Sequence, residues 1–586
     1  MSVSSGVAAT AELAKGRLTQ AARPITEDLV QRAESDRLAS TFVDYTNDRQ
    51  GERHTLTWRQ LVARVRDVAA AVTEHTAPGD RVAVLAPQNH DYVTGFLGAL
   101  LAGRIAVPLF APELGAHADR LVGALDNCAP KLWLTSSASL DAVEELATGE
   151  GVPAPGHILA VDGITEGSGK DFQAPEIGLD EPAYLQYTSG STRTPAGAVI
   201  THRAVATNCA QGAAGFPADD TSTCVGWLPL FHDMGLVLQI CFPVHLGAHA
   251  VFTTPFAFIL KPVRWLELLA EFPNAVTGGP NFAFDMLVKK TTEEDRARLD
   301  LSRVHSMRNG AEPIRAGTID RFAEAFGPCG LDRSAHRPSY GLAEATVYVT
   351  TTGSEGPVVR GFDRAALADN RAVESTAEDA LSLVAAGTPA GQLVRIVDRG
   401  TGEVVPDGTV GEIWVYGANV ASAYWDSPEA TEATFRGVLH EDGLPEGPWL
   451  RTGDLGMFHA DLLFITGRMK DLIIIDGKNH YPQDIEATAE QAHEVIRRQH
   501  LAAFSVDDGE TEGAVVLIEA RPGTDLAAVD QKEFSRSVKR AVSQVHDVKL
   551  RDVRLIPTGG IIRTSSGKIA RAANREQYLD MIRTEK

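Results

Sequence analysis

The chain has 586 residues, 55 Lys+Arg against 77 Asp+Glu, and a formal charge of −22. That length exceeds one ordinary core and predicts at least two domains. The acidic balance argues against a general binder of nucleic acid or of anionic membrane.

Residues 1 to about 25 are rich in Ala, Ser and Thr and read as a frayed arm. They hold no continuous apolar run, so no signal peptide is expected. Thr57 to Thr73 has helical spacing, with Leu61, Val65, Val68 and Val72 on one face and Thr57 as the N-cap. Arg81–Ala86 reads as a strand, Asp91–Leu101 as a helix and Ile105–Leu109 as the next strand, which predicts a βαβ unit and a parallel sheet. Further strands are expected at Lys131–Thr135, Ile158–Val161, Ala183–Tyr187, Cys224–Leu228 and His249–Thr253. Residues 353–385 break this rhythm and read as an insertion or mobile loop with a helical Ala-rich piece. Gln392–Asp398 and Gly411–Gly417 resume as strands around the turn Pro406-Asp-Gly408. Leu472–Ile475 opens a smaller α/β domain, with helices at Asp484–His493 and Gln531–His546 and strands at Gly513–Ile518 and Val553–Ile556. The longest apolar runs, Phe96–Ala102 and Leu472–Ile475, are too short to cross a bilayer. The five cysteines (128, 209, 224, 241 and 329) are odd in number and form no Cys-x-x-Cys pair. They read as small buried hydrophobes in a reducing, cytoplasmic setting.

Six short segments carry the chemistry. Tyr184-Leu-Gln-Tyr-Thr-Ser-Gly-Ser-Thr-Arg-Thr-Pro-Ala-Gly197 follows a strand with a run of hydroxyls and glycines. Thr188, Ser189, Ser191 and Thr192 offer hydroxyl donors, and Gly190 lets backbone N–H groups approach a phosphate. It is not a Walker loop, which places lysine directly after its second glycine. Trp227-Leu-Pro-Leu-Phe-His232-Asp-Met-Gly-Leu236 sets one histidine in an apolar run. Arg308-Asn-Gly-Ala-Glu-Pro313 by itself reads as a turn with small residues. Pro338-Ser-Tyr340-Gly-Leu-Ala-Glu344 joins a stacking aromatic to a carboxylate fit for a hard cation. Trp449-Leu-Arg-Thr-Gly-Asp454 reads as a turn whose carboxylate could accept both hydroxyls of a ribose. Arg563-Thr-Ser-Ser-Gly-Lys568 closes the series with a lysine.

In this order the six resemble the adenylate-forming superfamily from about residue 20 to the C-terminus. Within it the chain is similar to the fatty acyl-AMP ligases. Ser191-Thr-Arg-Thr-Pro195, Tyr340–Tyr348, Pro280-Asn-Phe-Ala-Phe284 and Asp476–Glu486 carry that likeness, and residues 353–385 stand where this branch has an insertion. Arg193 and Ala196 replace the glycine and lysine of the acyl-CoA ligase loop. The resemblance implies an α/β fold with a large adenylation domain (1–467), a hinge (468–470) and a small mobile C-terminal domain (471–586).

It further implies ATP and Mg²⁺. Thr188, Ser189, Gly190, Ser191 and Thr192 would hold phosphates. Gly310, Ala311, Glu312, Ser339, Tyr340, Gly341, Leu342 and Ala343 would surround adenine. Asp454 and Arg468 would hold the ribose side, and Glu344 with Thr188 the metal. Lys568, Glu344 and His232 are the expected catalytic residues and Lys470 the pivot. His232, Gly278, Gly279, Phe282 and Phe284 are expected in the acyl pocket, where two glycines stand in place of the serine and alanine common among relatives. The implied reaction joins a medium- or long-chain fatty acid to AMP. The acyl group then passes to a holo acyl carrier protein or the carrier domain of a polyketide or nonribosomal synthase. The rivals are an acyl-CoA ligase, an inactive carrier-docking scaffold, and an amino- or aryl-acid activator. The last is disfavoured because no acidic residue stands at an evident pocket position.

Overall fold

The computed structural model describes residues 18–112, 118–149, 151–187, 196–216, 218–475, 478–507, 512–546, 548–564 and 567–584. Two sheets build the large part of the molecule. In the six-stranded sheet the order is His157–Ala160, Leu132–Thr135, Arg81–Val84, Ile105–Pro108, Pro182–Tyr187, Gly197–Thr201. All neighbours are parallel except the last pair. The nine-stranded sheet runs Thr388–Pro389, Thr350–Thr351, His336–Tyr340, Val304–Gly310, Ala275–Pro280, Thr223–Gly226, His249–Phe252, Leu38–Asp44, Glu52–Thr57. Its central pairs are parallel, and its edges are antiparallel.

Local signals set these elements. Thr57 caps the helix Trp58–His75 by accepting from the Gln60 N–H, and the Gln60 side chain returns the bond, a capping box. That helix buries Leu61, Val65, Val68 and Val72. It packs on the helix His90–Leu101 so closely that a Cβ at Gly98 would lie 2.5 Å from Val68 Cγ1. Parallel strands buried on both faces place their C-terminal ends at one edge, where an α/β protein holds its ligands.

A four-stranded antiparallel sheet follows: Leu393–Val397, Gly411–Tyr416, Leu450–His459, Leu462–Arg468. Residues from Ile473 onward have a core of their own, including Ile485, Val516, Ile518, Val538 and Val542. Its sheet is Ile496–Asp507, Glu512–Ala520 and Asp552–Ile556, with helices Pro482–Ala489, Gln531–His546 and Arg571–Thr584 around it.

The structure corrects three expectations. Residues 353–385 are not a mobile loop. Val359–Phe362 and Leu381–Val384 pair as an antiparallel ribbon, joined through the short helix Arg364–Ala368. Phe362 and Leu367 are buried in one cluster with Leu455, Met457, Phe464, Leu472 and Tyr481. Burying each such side chain stabilises by about 1.5–3 kcal/mol relative to exposure, enough to order a short ribbon. The helix expected at Asp484–His493 is Pro482–Ala489, with proline in its first turn. Asp454 lies inside a ten-residue strand, not at a turn. All five cysteines are free and buried. No helix among the described residues is long and apolar enough to cross a membrane.

Candidate active site

At the C-terminal edge of the nine-stranded sheet lies a cavity of about 1520 Å³, bounded on its other side by residues from the C-terminal domain. The strand Val304–Gly310 ends there, and Ala311 turns the chain with φ 66°. Gly310, Ala311 and Glu312 line the cavity. Glu312 Oε1 accepts the Phe282 backbone N–H at 2.6 Å. Burial pushes the Glu312 carboxyl up; that N–H and the cations Lys568, Arg315 and Arg563 oppose the shift.

The next strand, His336–Tyr340, delivers Ser339, Tyr340, Gly341, Leu342, Ala343 and Glu344 to the same wall. Gly341 is required by a close approach: a Cβ there would lie 1.6 Å from the Val347 carbonyl oxygen. The Tyr340 phenol donates to Asp454 Oδ2 at 2.8 Å, and Arg468 Nε donates to Asp454 Oδ1 at 2.7 Å. Burial and the adjoining Asp454 carboxylate keep Tyr340 protonated as that donor. Asp454 and Arg468 face one another across the paired strands Leu450–His459 and Leu462–Arg468. The Tyr424 phenol donates to Glu344 Oε1 at 2.6 Å.

His232 precedes the short helix Asp233–Leu236, and its Nδ1 lies 2.6 Å from Asp233 Oδ1. Burial raises the Asp233 carboxyl, but His232 and Lys568 outweigh it and hold it below the usual range. Lys568 enters from the C-terminal domain on a tight turn. Its N–H donates to Thr564 Oγ1 at 3.1 Å, and Arg563 Nη1 donates to the Gly567 carbonyl at 2.6 Å. The turn rests on Phe282: a Cβ at Gly567 would lie 3.3 Å from its ring. Burial pulls the Lys568 ammonium below the ordinary lysine value; Asp233, Glu312 and Asp454 oppose this and Arg468 adds to it. Three carboxylates and one further cation thus act on the Lys568 ammonium.

His232, Phe282, Glu344, Arg468, Lys470 and Lys568 therefore all face the cavity, as do the residues read as the adenine wall. The phosphate-loop residues Thr188, Ser189, Gly190, Ser191 and Thr192 lie outside the described residues. Gly278, Gly279 and Phe284 do not line the cavity. Phe284 is fully buried against Trp265, Phe322 and His336. A Cβ at Gly279 would meet the Trp265 ring at 3.0 Å, and one at Gly278 would meet Met234. In the apolar stretch Phe252–Leu260, Phe252 and Phe258 are core, while Phe256, Ile259 and Leu260 are exposed.

Sequence reasoning missed three lining residues. Tyr424 lies outside every motif and is recognisable by its bond to Glu344 alone. Asp233 stood beside His232 and is an acidic residue in the pocket, engaged by that histidine. Arg308 opened a quoted motif without a role.

Comparison with known proteins agrees with this geometry. The model of the family described as "AMP-binding enzyme" matches residues 29–425. The chain belongs to the AMP-binding enzymes. Within that family it is 45% identical over 561 residues to "Long-chain-fatty-acid--AMP ligase FadD26" of Mycobacterium marinum, covering 92% of this chain and 94% of that protein. It is 44% identical over 573 residues to "4-hydroxyphenylalkanoate adenylyltransferase" of Mycobacterium tuberculosis, covering 94% and 91%. Among solved structures, the fatty acyl-adenylate ligase of L. pneumophila in complex with acyl adenylate and pyrophosphate superposes with a TM-score of 0.73. It is 33% identical and covers 95% of this chain and 96% of that one. The chain is a fatty acyl-AMP ligase family member with the two-part α/β fold of adenylate-forming enzymes.

Proposed function

We propose that this enzyme activates a fatty acid with ATP to acyl-AMP and pyrophosphate, then passes the acyl group to a carrier-bound thiol. The observation that carries the reading is the position of Lys568, brought by the C-terminal domain to the wall that holds Tyr340, Asp454 and Arg468. In the first step a carboxylate oxygen bonds to the α-phosphorus and the bond to the pyrophosphate oxygen breaks; no proton moves. Both partners are anionic, so fixed cations and exclusion of water do the work. Lys568 stands to balance the charge between acid and α-phosphate. Tyr340 offers a face to adenine, and Asp454, fixed by Tyr340 and Arg468, suits the ribose hydroxyls.

Glu344 fits a Mg²⁺ ligand: Tyr424 occupies Oε1, and Oε2 has no hydrogen bond among the described residues, an oxygen set a hard cation favours. When bound, the ion would offset phosphate charge. Thr188 is the second residue expected to hold it. Lys470, exposed in the turn Met469–Asp471 between the two domains, suits a pivot at 468–470, which would divide the chain at 467 and 471.

Several relatives are named for fatty acids, one for a hydroxyphenyl alkanoate, so the tail is not restricted to a plain alkyl chain. A carrier protein is the acceptor we favour over coenzyme A, given the ribbon at 353–385 and the branch to which the chain belongs. A cytoplasmic setting agrees with five free buried thiols. Acid-dependent release of pyrophosphate from ATP tests the first step: release that needs no acid, or none with any acid, sinks the reading.

A further inference from the structure

Deeper than the adenine wall, the cavity meets a guanidinium with no anionic partner among the described residues. Strand Val304–Gly310 brings Gly310 to the cavity edge. Arg308 lies two residues earlier on the same face, about 7 Å deeper. It lines the cavity and is 2% exposed. Its Nη1 donates to Thr351 Oγ1 at 3.0 Å, and its Cζ stands 3.5 Å from the centre of the Phe216 ring. Its Nε and Nη2 have no hydrogen-bond partner among the described residues. Those two N–H groups form one edge of the planar guanidinium, a fork that matches both oxygens of a carboxylate. The Phe216 contact uses the face and leaves this edge unspent.

The surroundings add charge of the same sign. Arg308 pairs in register with Arg337 on the neighbouring parallel strand, and Arg337 is 5% exposed. The groups acting on Arg308 are Arg337 and Tyr348, with no carboxylate among them. The Tyr348 phenol also lines the cavity and also lacks a partner among the described residues. Leaving a buried cation unpaired is costly, and arginine does not escape by losing its proton. Gly278 makes this crowding feasible. A Cβ there would lie 2.7 Å from Met234 Cε, 2.9 Å from Leu238 Cδ1 and 3.2 Å from Arg308 Cβ.

We propose that Arg308 is the specificity residue of a tail subsite, which takes acids bearing a second carboxylate at the far end of the chain. The proposal rests on the acid-activating reading above. A carboxylate supplies both acceptors and the missing charge, whereas a plain alkyl tail leaves the fork unmatched, and a site built for polar pairing rejects the analogue that lacks it.

The test compares α,ω-dicarboxylic acids of graded length with the matching monocarboxylic acids, reading kcat/KM from acid-dependent pyrophosphate release. At its best length the wild-type enzyme prefers the diacid. Arg308→Met lowers the diacid-to-monoacid ratio by about 100-fold, the loss expected of a charged two-point contact. Arg308→Lys keeps the charge but not the fork and falls between them. Should the Met variant not fold, the wild-type preference decides: monoacids favoured at every length overturn the subsite. A ratio unchanged in a folded Arg308→Met also overturns it, leaving Arg308 a partner of Phe216 and Thr351. Both results keep acid activation intact. Adenylate from neither series overturns acid activation itself, and the subsite with it.

Discussion

Lys568 is a half-buried ammonium acted on by Asp233, Glu312, Asp454 and Arg468, and in the proposed reaction its charge would stand between the acid and the α-phosphate. Replacing it with alanine should slow pyrophosphate release by about 100-fold or more, the usual cost of removing a transition-state charge partner. ATP binding, measured by titration, should change little. Because burial lowers its pKa, the alkaline fall in kcat should come below the ordinary lysine value, and Lys568→Arg should remove that limb. A pH profile unaltered by Lys568→Arg would contradict the role. The residues that meet at the cavity were legible where a motif fixed residue type and order, as for Tyr340, Asp454 and Lys568. Tyr424 and Arg308 were not, because their meaning lies in contacts between distant segments: Tyr424 with Glu344, Arg308 with Phe216 and Thr351.

At the scale of elements, the ribbon Val359–Phe362/Leu381–Val384 shares a core with the start of the C-terminal domain through Leu472 and Tyr481. Asn479 Nδ2 also donates to Asn370 Oδ1 at 3.0 Å. Deleting 353–385 should raise thioester formation with coenzyme A; unchanged rejection would remove the ribbon from the explanation. Since deletion also uncovers Leu455, Met457 and Phe464, the milder Asn479→Ala should accompany it and shift acceptor use in the same direction.

Nearby, burial pushes the Asp484 carboxyl up to about 7, with Arg364 and Arg315 opposing and Glu486 adding. Its folded pKa exceeds its unfolded one, so the folded state binds the extra proton between the two values. That stability is complete near pH 4 and fades as pH rises through 7. Thermal melts should show this decline, and Asp484→Asn should flatten it; an equal slope in the variant would refute the assignment. His546, held near 4 by burial, adds the opposite trend on the acid side.

Elements whose signals conflict were the ones not legible. The hairpin Leu450–His459/Leu462–Arg468 turns on Ala460 and Asp461, both at positive φ, without the Asn-Gly or Asp-Gly pair that marks such turns. Strand Ile496–Asp507 hides behind Arg497-Arg498-Gln499-His500, where the register slips and Gln499 takes φ 62°. The last helix buries Asn574 and Tyr578, a face that hydrophobic periodicity does not see.

Across the whole molecule, alternating strand and helix signals made the parallel sheets legible from Arg81 onward, because strands buried on both faces read as short apolar runs. The strand at Leu472–Ile475 was read as opening a smaller α/β domain, and residues from Ile473 do have a core of their own; the cavity that both parts line was not legible. In that arrangement the C-terminal domain forms one side of the cavity and places Lys568 opposite Tyr340, Asp454 and Arg468 of the large domain, which suits the adenylation proposed above. The proposed pivot at Lys470 would let the small domain take a different placement for the proposed acyl transfer. The most direct test supplies labelled fatty acids of graded length with ATP and Mg²⁺, alone, with coenzyme A, and with a holo acyl carrier protein, and separates the acyl products. The account predicts acyl-AMP that persists beside coenzyme A and is consumed by the carrier. Rapid acyl-CoA formation, or no acyl-AMP at all, would contradict it.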